Sequence, residues 1–287
     1  MPAADAPLRG RLATLQVRAD AGDSLAACRL GIELLRCAAL GNYPPGHDAF
    51  MAKQEAEQEA EGNLLAANSI AVGRVVHAEL REACSVVPES LAGRAHHYVR
   101  QAALAGEPEA MIRYARGETL MTGFAGLAYI ATPAFDQWRR EARPVLMRAL
   151  EAGHPAAVLI LAKAHGGNDS HLALLLPRDA VEARASLLLA RRLFGDDPAL
   201  ARGLFGDDPP SPPPGSRQEP DVGQSQAAEQ KAEQWHSRSF SGRRLVLAEN
   251  TAALLPLHRR PGWDDGSAGW PGNPAPEACA PSATAAP

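Results

Sequence analysis

Histidines are the residues that first suggest chemistry in this chain of 287 residues, which contains nine of them. His154, His165 and Asp169 combine imidazole and carboxylate side chains that could bind a divalent metal and activate water. However, the chain has no His-Glu-x-x-His motif, and no histidine stands at zinc-ligand spacing beside a cysteine. A metal-dependent hydrolase using these three residues is therefore kept as the alternative function. The leading interpretation includes no metal and no cofactor.

Other catalytic signatures are also missing from the sequence. It contains no Gly-x-Ser-x-Gly elbow, no glycine loop for phosphate and no paired carboxylates on a patterned element. The alternating Glu55, Glu57, Glu59 and Glu61 are interpreted as the solvated face of a helix. We therefore expect a non-enzymatic protein.

The four cysteines, at positions 28, 37, 84 and 279, are too few for a disulfide scaffold in a chain of this length. Cys28 and Cys37 are nine residues apart, so one continuous helix would separate them by about 13.5 Å, too far to bridge. Free, partly buried thiols are expected. The even count would also suit an oxidising compartment, and a disulfide at Cys84 would favour the periplasm.

Composition and charge restrict the partners. The chain has 29 basic and 33 acidic residues and a net charge of −4, which does not favour binding to nucleic acid or to an anionic membrane. The longest clean apolar run, 156–162, is far shorter than the ~18 residues of a membrane span. The first ten residues lack a signal-peptide core, so the sequence as written predicts a cytoplasmic protein. A misassigned start would leave the periplasm open.

Helices separated by glycines organise most of the chain. Apolar residues at helical spacing repeatedly end at a glycine that can adopt the left-handed conformation of a helix C-terminus. These glycines are Gly22, Gly62, Gly106, Gly153 and Gly195. Pro108 follows the third of them and suits the first turn of a new helix. Their spacing is in the range of helical-repeat proteins, which predicts an all-α fold.

Two short motifs suggest how these helices pack. Ala26-Ala-Cys-Arg-Leu30-Gly31 places a very small residue after a large one, as close antiparallel helix packing requires, and Ala102-Ala-Leu-Ala-Gly106 ends another helix. Together with the aromatic Tyr98, these motifs resemble the Sel-1-like repeat, a relative of the tetratricopeptide repeat. The resemblance covers about residues 8–205. The sequence departs from the family pattern at Ala71, Ala115 and Ala162, where alanine replaces the motif glycine.

The resemblance implies a right-handed α–α superhelical solenoid of about four to five helix-pair repeats. It also implies a scaffold that binds a protein or peptide partner, often in bacterial envelope or signalling settings. If the first helix of each repeat lines the groove, polar residues beside the motif become partner-binding candidates. These candidates are Arg36, Glu109, Arg116 and Lys163. The structural repeat positions are Gly22, Gly31, Gly62, Gly106 and Gly153.

The C-terminal third has a different composition. Residues 206–226 are rich in proline and are interpreted as a linker. Residues 227–257 are expected to form a C-terminal helical segment. Residues 258–287 are rich in proline, glycine, alanine and serine and are expected to form a disordered tail.

Overall fold

A computed structural model describes residues 7–40, 43, 45–121, 128–165, 172, 175–176, 179–195, 222–245 and 279. Within these residues the chain is helical and contains no β-strand, which confirms the predicted all-α class. None of the helices in this part combines the length and the hydropathy that crossing a bilayer requires.

The chain forms two compact units. The first comprises Met1–Ala110, Glu118–Tyr129 and Leu255–Pro287, and the second comprises Met111–Gly117 and Ile130–Leu254. The described helices of the first unit are α1 (Leu8–Asp20), α2 (Ser24–Leu40), α3 (His47–Ala60), α4 (Leu64–Cys84), α5 (Glu89–Ala92), α6 (Ala95–Ala105) and α8 (Glu118–Met121), together with a 3₁₀ turn at Ala128–Ala131 that extends into the second unit. Helix α7 (Pro108–Ala115) spans the division.

In the first unit, α2 is the central helix and packs against α1 and α6. Its side chains are buried around the whole helix from Ala26 to Leu35. At Gly31, α2 and α6 approach so closely that an added Cβ would lie 2.6 Å from Val99 Cγ2 and 2.9 Å from Val99 N. A side chain at Gly31 would therefore push α6 away.

Helices α3 and α4 form a separate hairpin between α2 and α6 in the chain, and they pack mainly on each other. Arg74 of α4 bonds Glu55 of α3 at 2.5 Å, and His77 Nδ1 lies 2.9 Å from Asp48 Oδ1. Arg81 also donates to Asp48. The hairpin is thus held by polar contacts more than by an apolar core.

The described helices of the second unit are α9 (Pro133–Glu151), α10 (Pro155–His165), α11 (Ala180–Phe194) and α12 (Val222–Phe240). Helix α10 packs against α9 and α11, and α12 packs against α11 and α9. Trp138 of α9 is buried and donates its indole N–H to the carbonyl of Tyr114 at 2.7 Å. Residues 156–162 of α10, the longest apolar run of the sequence, are buried on all sides.

Four helix ends share one hydrogen-bond pattern. The glycine has a positive φ at Gly22 (92°), Gly62 (77°), Gly106 (98°) and Gly153 (76°). In each case the next residue donates its N–H to the carbonyl five positions earlier, at 2.9–3.0 Å, which closes a Schellman motif. The left-handed helix ends predicted at Gly106 and Gly153 are confirmed.

The expectation of free thiols is wrong. Cys37 is bonded to Cys84, and Cys28 to Cys279, with Cα–Cα distances of 5.4 and 6.0 Å. The sequence excluded only a Cys28–Cys37 bridge, which is indeed absent. Residues far apart in the chain carry no local signal of pairing, so the two long-range bonds could not be predicted from spacing.

The C-terminal expectations need two corrections. Helix α12 begins at Val222, so the last residues of the predicted 206–226 linker are helical. Cys279 is buried and bonded to Cys28 of α2, so the predicted 258–287 tail has an anchor. Within the 227–257 segment, α12 ends at Phe240 and a turn follows to Leu245. Residues 206–221 and 246–257, and the tail apart from Cys279, lie outside the described residues.

Candidate functional site

The histidines of the alternative hydrolase do not converge. His154 directly precedes α10 and His165 is its last residue, so a rise of about 16 Å separates them, too far for one metal ion. Asp169 lies outside the described residues. Among the residues that the structure does describe, no group of three or more histidine, cysteine, aspartate or glutamate side chains could hold a metal.

His154 has a local structural role. Its Nδ1 accepts a hydrogen bond from the Ala156 N–H at 3.2 Å, in the first turn of α10. Burial lowers the pKa of His154 to about 4, so its imidazole is neutral at physiological pH. A neutral ring can accept this bond, whereas a protonated ring could not.

His165 belongs to a cluster of charged side chains in the second unit. Glu182 of α11, almost fully buried, accepts from Arg143 of α9 at 3.0 Å and from Lys231 of α12 at 3.3 Å. His165 Nε2 lies 3.7 Å from the other oxygen of Glu182. Burial lowers the pKa of His165, and Glu182 partly opposes that shift. These side chains connect the four described helices of the second unit, and the burial of Glu182 and His165 indicates a structural role.

The groove candidates are distributed over both units. Arg36 donates to Glu33 at 2.8 Å, and Glu33 also accepts from Arg11 at 2.6 Å. Because only 14% of the Arg36 side chain is exposed, its guanidinium belongs to an internal ion-pair cluster of the first unit. Arg36 is therefore poorly placed to recognise a partner.

The other three candidates differ in burial. Glu109, in the part of α7 that belongs to the first unit, is buried. Arg116 and Lys163 belong to the second unit and are half-buried. The sequence therefore identified polar residues beside the small-residue positions, but two of the four are largely removed from solvent.

The main exposed apolar surface of the described residues lies on α4, where the sequence pattern predicted no site. Four large side chains are more than half exposed: Leu64 (64%), Leu65 (58%), Val72 (52%) and Val75 (57%). At 3.6 residues per turn they point to one side of the helix together with Asn68, which is also exposed. We call these five residues the α4 face. Its signal in the sequence was an apolar stripe opposite the charged residues that contact α3.

Acidic side chains lie at both ends of the α4 face. Glu79 and Glu82 are exposed and continue the face toward the helix C-terminus. Glu59 and Glu61 are exposed just before its N-terminus, at the end of α3. The basic residues of α4, Arg74 and Arg81, point toward α3 and bond its carboxylates. The outer side of α4 thus combines apolar and acidic character.

Two features fix the position of α4 within the first unit. The Cys37–Cys84 disulfide ties the last residue of α4 to α2. Near the start of α3, the rings of Tyr43, His47 and His77 contact one another in tilted or edge-on arrangements, with centroids 4.4–5.3 Å apart. A covalent bond and an aromatic cluster therefore hold a helix that buries little apolar surface of its own.

Comparison with protein-family models, with curated proteins and with solved structures finds no match for this chain.

Proposed function

We propose that this protein is a non-enzymatic protein-interaction scaffold. The observation that supports the proposal most strongly is the α4 face, in which four large apolar side chains are more than half exposed on one helix. Contiguous exposed apolar surface of this kind commonly marks an interaction site in soluble proteins. The disulfide at Cys84 fixes this helix without covering it.

The helical pattern is consistent with a Sel-1-like solenoid, which we retain as part of the proposal. Four Schellman ends in one hydrogen-bond pattern and the close approach at Gly31 are what such repeats require. Since α2 packs on α6, we propose that these two helices form one repeat and that the α3–α4 hairpin is an insertion within it. The Gly62 stop would then belong to the insertion.

Photo-crosslinking in the native host tests the interaction function. Benzoylphenylalanine replaces Val75 in the α4 face, and Val17 of α1, which is 70% exposed, provides the matched control. We expect a discrete crosslinked protein at position 75 and none of the same mass at position 17. Equal crosslinking at both positions, or none at position 75, would contradict an interaction site on α4.

We also infer that the protein works in an oxidising compartment, in place of the cytoplasmic location expected from the sequence. The support is the pairing of all four cysteines in two disulfides, since such bonds are rare in the reducing cytosol. Protein taken from its native host is alkylated before and after reduction. Four thiols that react only after reduction would support this location, and four thiols that react at once would contradict it.

A further inference from the structure

We propose that the α4 face binds an amphipathic helix whose apolar stripe carries basic residues at its ends. This assignment rests on the proposed interaction function and specifies the chemistry of the partner at the same site. It follows from the order of exposed side chains: acidic at the end of α3 (Glu59, Glu61), apolar along the α4 face, and acidic again toward the C-terminus of α4 (Glu79, Glu82).

The length and spacing of the apolar side chains suit a helix. Leu65, Val72 and Val75 are separated by seven and three residues, so they repeat along one side of α4 at heptad-like spacing. From Leu64 to Glu82 the face and its acidic end extend over about 27 Å of helix. A partner helix of about eighteen residues would match this length and could place its own apolar stripe along the face.

The negative charge on the outer side of α4 results from the ion pairs inside the α3–α4 hairpin. Glu55 and Asp48 of α3 bond the arginines of α4, so this positive charge lies on the side of α4 that faces α3 and is paired with carboxylates. The glutamates that remain on the outer side, Glu79 and Glu82, lie in register with Val72 and Val75. An incoming helix therefore meets negative charge beyond the apolar residues, and basic residues at its ends complement that charge.

A second copy of this chain is a poorer fit. Parallel pairing of two α4 helices would place Glu79 against its own equivalent. Antiparallel pairing centred at Val72 would place Glu82 beside Glu61 and Gly62, and Glu79 beside Leu65. Both arrangements bring like charges together or bury a carboxylate against leucine, which opposes association. An anionic lipid surface would be repelled by the same glutamates.

Fluorescence anisotropy with synthetic peptides tests the proposal on the full-length, disulfide-bonded protein. The probe is an eighteen-residue helix with leucines at heptad positions and arginines in its first and last turns. One control peptide has glutamates in place of the arginines, and a second has the same composition in scrambled order. We expect the basic helix to bind about tenfold more tightly than either control.

Variants of the protein then assign the binding to the face. Val75→Asp should weaken binding of the basic helix about tenfold, while Val17→Asp on α1, at a valine that is also more than half exposed, should leave binding unchanged. The double variant Glu79→Lys with Glu82→Lys should reverse the preference toward the acidic peptide. Circular dichroism verifies that each variant keeps its helical content.

Each other result has a defined meaning. Equal binding of the acidic and basic helices would overturn the proposal of a basic partner. The same holds if the double lysine variant at Glu79 and Glu82 keeps its preference for the basic helix. Val75-dependent binding to phosphatidylglycerol vesicles would overturn it in favour of lipid, and a Val75-dependent dimer in sedimentation would do so in favour of a second copy. If no peptide binds while crosslinking at position 75 still captures one protein, the interaction function stands and the partner chemistry fails.

Discussion

The pair α2–α6 and the hairpin α3–α4 contain the same kind of glycine helix end but differ in how they are held together. Helix α2 buries apolar side chains around its circumference, and its glycine lies against α6. In the hairpin, Met51 and Ala67 are the only apolar side chains among the buried residues of the two helices. Ion pairs, an aromatic cluster and a disulfide hold it instead.

This difference shows that a glycine stop predicts where a helix ends but not what the next helix packs against. Local backbone geometry sets the first property, and the side chains of the whole helix set the second. The hairpin has a polar α3, so α4 cannot bury all of its valines and leucines between the two helices. The apolar side chains left over become the α4 face.

The largest expected effect on stability comes from replacing a glycine by valine, once in the α2–α6 pair and once in the hairpin. Gly31→Val introduces a Cβ within 2.6 Å of Val99, and overpacking at such a contact should cost about 3 kcal/mol of unfolding free energy. At Gly62 an added Cβ would meet no atom within 4 Å, so Gly62→Val should cost mainly the left-handed backbone strain, about 1–2 kcal/mol. Urea denaturation measures both values. A larger loss at Gly62 would mean that α2 and α6 do not pack as described.

The second prediction removes the covalent link of the hairpin. Cys37 and Cys84 are 47 residues apart, and opening a loop of this size should cost about 2–4 kcal/mol. Because the hairpin has little apolar core, the double variant Cys37→Ala with Cys84→Ala should lose protection in α3 and α4 first. Hydrogen exchange of backbone amides measures this. If α2 and α6 lose protection to the same extent as α3 and α4, the hairpin does not unfold as a separate, less stable part.

The sequence was informative wherever the physical cause is local. Asp23 directly follows Gly22, where an aspartate commonly caps the next helix, and its Oδ1 accepts a hydrogen bond from the Ala26 N–H at 3.0 Å. The positive φ at Gly106 follows similarly from a helix that ends before Pro108. The pairing of α2 with α6 and the bond between Cys28 and Cys279, 251 residues apart, depend on contacts between distant segments. No periodicity in one chain encodes which of several similar helices become neighbours.

The candidate site was missed for a related reason. The apolar stripe of α4 is visible in the sequence, but an apolar stripe usually predicts a buried face. Its exposure depends on the absence of a covering helix among the described residues, and no single helix carries that information. Conversely, Arg36 looked like a surface residue beside a motif, and its pairing with Glu33 became visible only in three dimensions.

The third prediction compares acid stability in the two regions. The buried Tyr98 donates a hydrogen bond to Asp20 at 2.8 Å. This bond is the main cause that lowers the pKa of Asp20, and the hydrogen bond from Arg94 lowers it further. A lowered folded pKa gives stability that is present above the unfolded pKa and is lost as the pH falls through the folded value. Tyr98→Phe should therefore lower Tm at pH 7 by about 2–4 °C, and the difference from wild type should shrink toward pH 3.

The hairpin provides the comparison for that experiment. Bonds from Arg81, then from His77, lower the pKa of Asp48, whose side chain is 47% exposed. Asp48→Asn should show the same sign of pH dependence with a change of Tm of similar size, because the Asp20 and Asp48 side chains are exposed to a similar degree and solvent screens both. Thermal melts at pH 7, 5 and 3 measure both variants. If Asp48→Asn lowers Tm more than Tyr98→Phe does, the hairpin contributes more to the stability of the protein than its few buried side chains indicate.

The smallest expected effect concerns the α4 face itself. Val72 and Val75 are more than half exposed in the folded protein, so replacing each by serine removes little buried surface. We expect Val72→Ser and Val75→Ser to change the unfolding free energy by less than about 0.5 kcal/mol, as surface substitutions usually do. Val99→Ala at the buried contact with α2 should cost about 2 kcal/mol in the same denaturation assay. If the serine variants destabilise the protein as much as Val99→Ala, the α4 face is covered within the chain and is not available to a partner. If they leave stability unchanged but abolish crosslinking at the face, the valines are retained for binding rather than for folding.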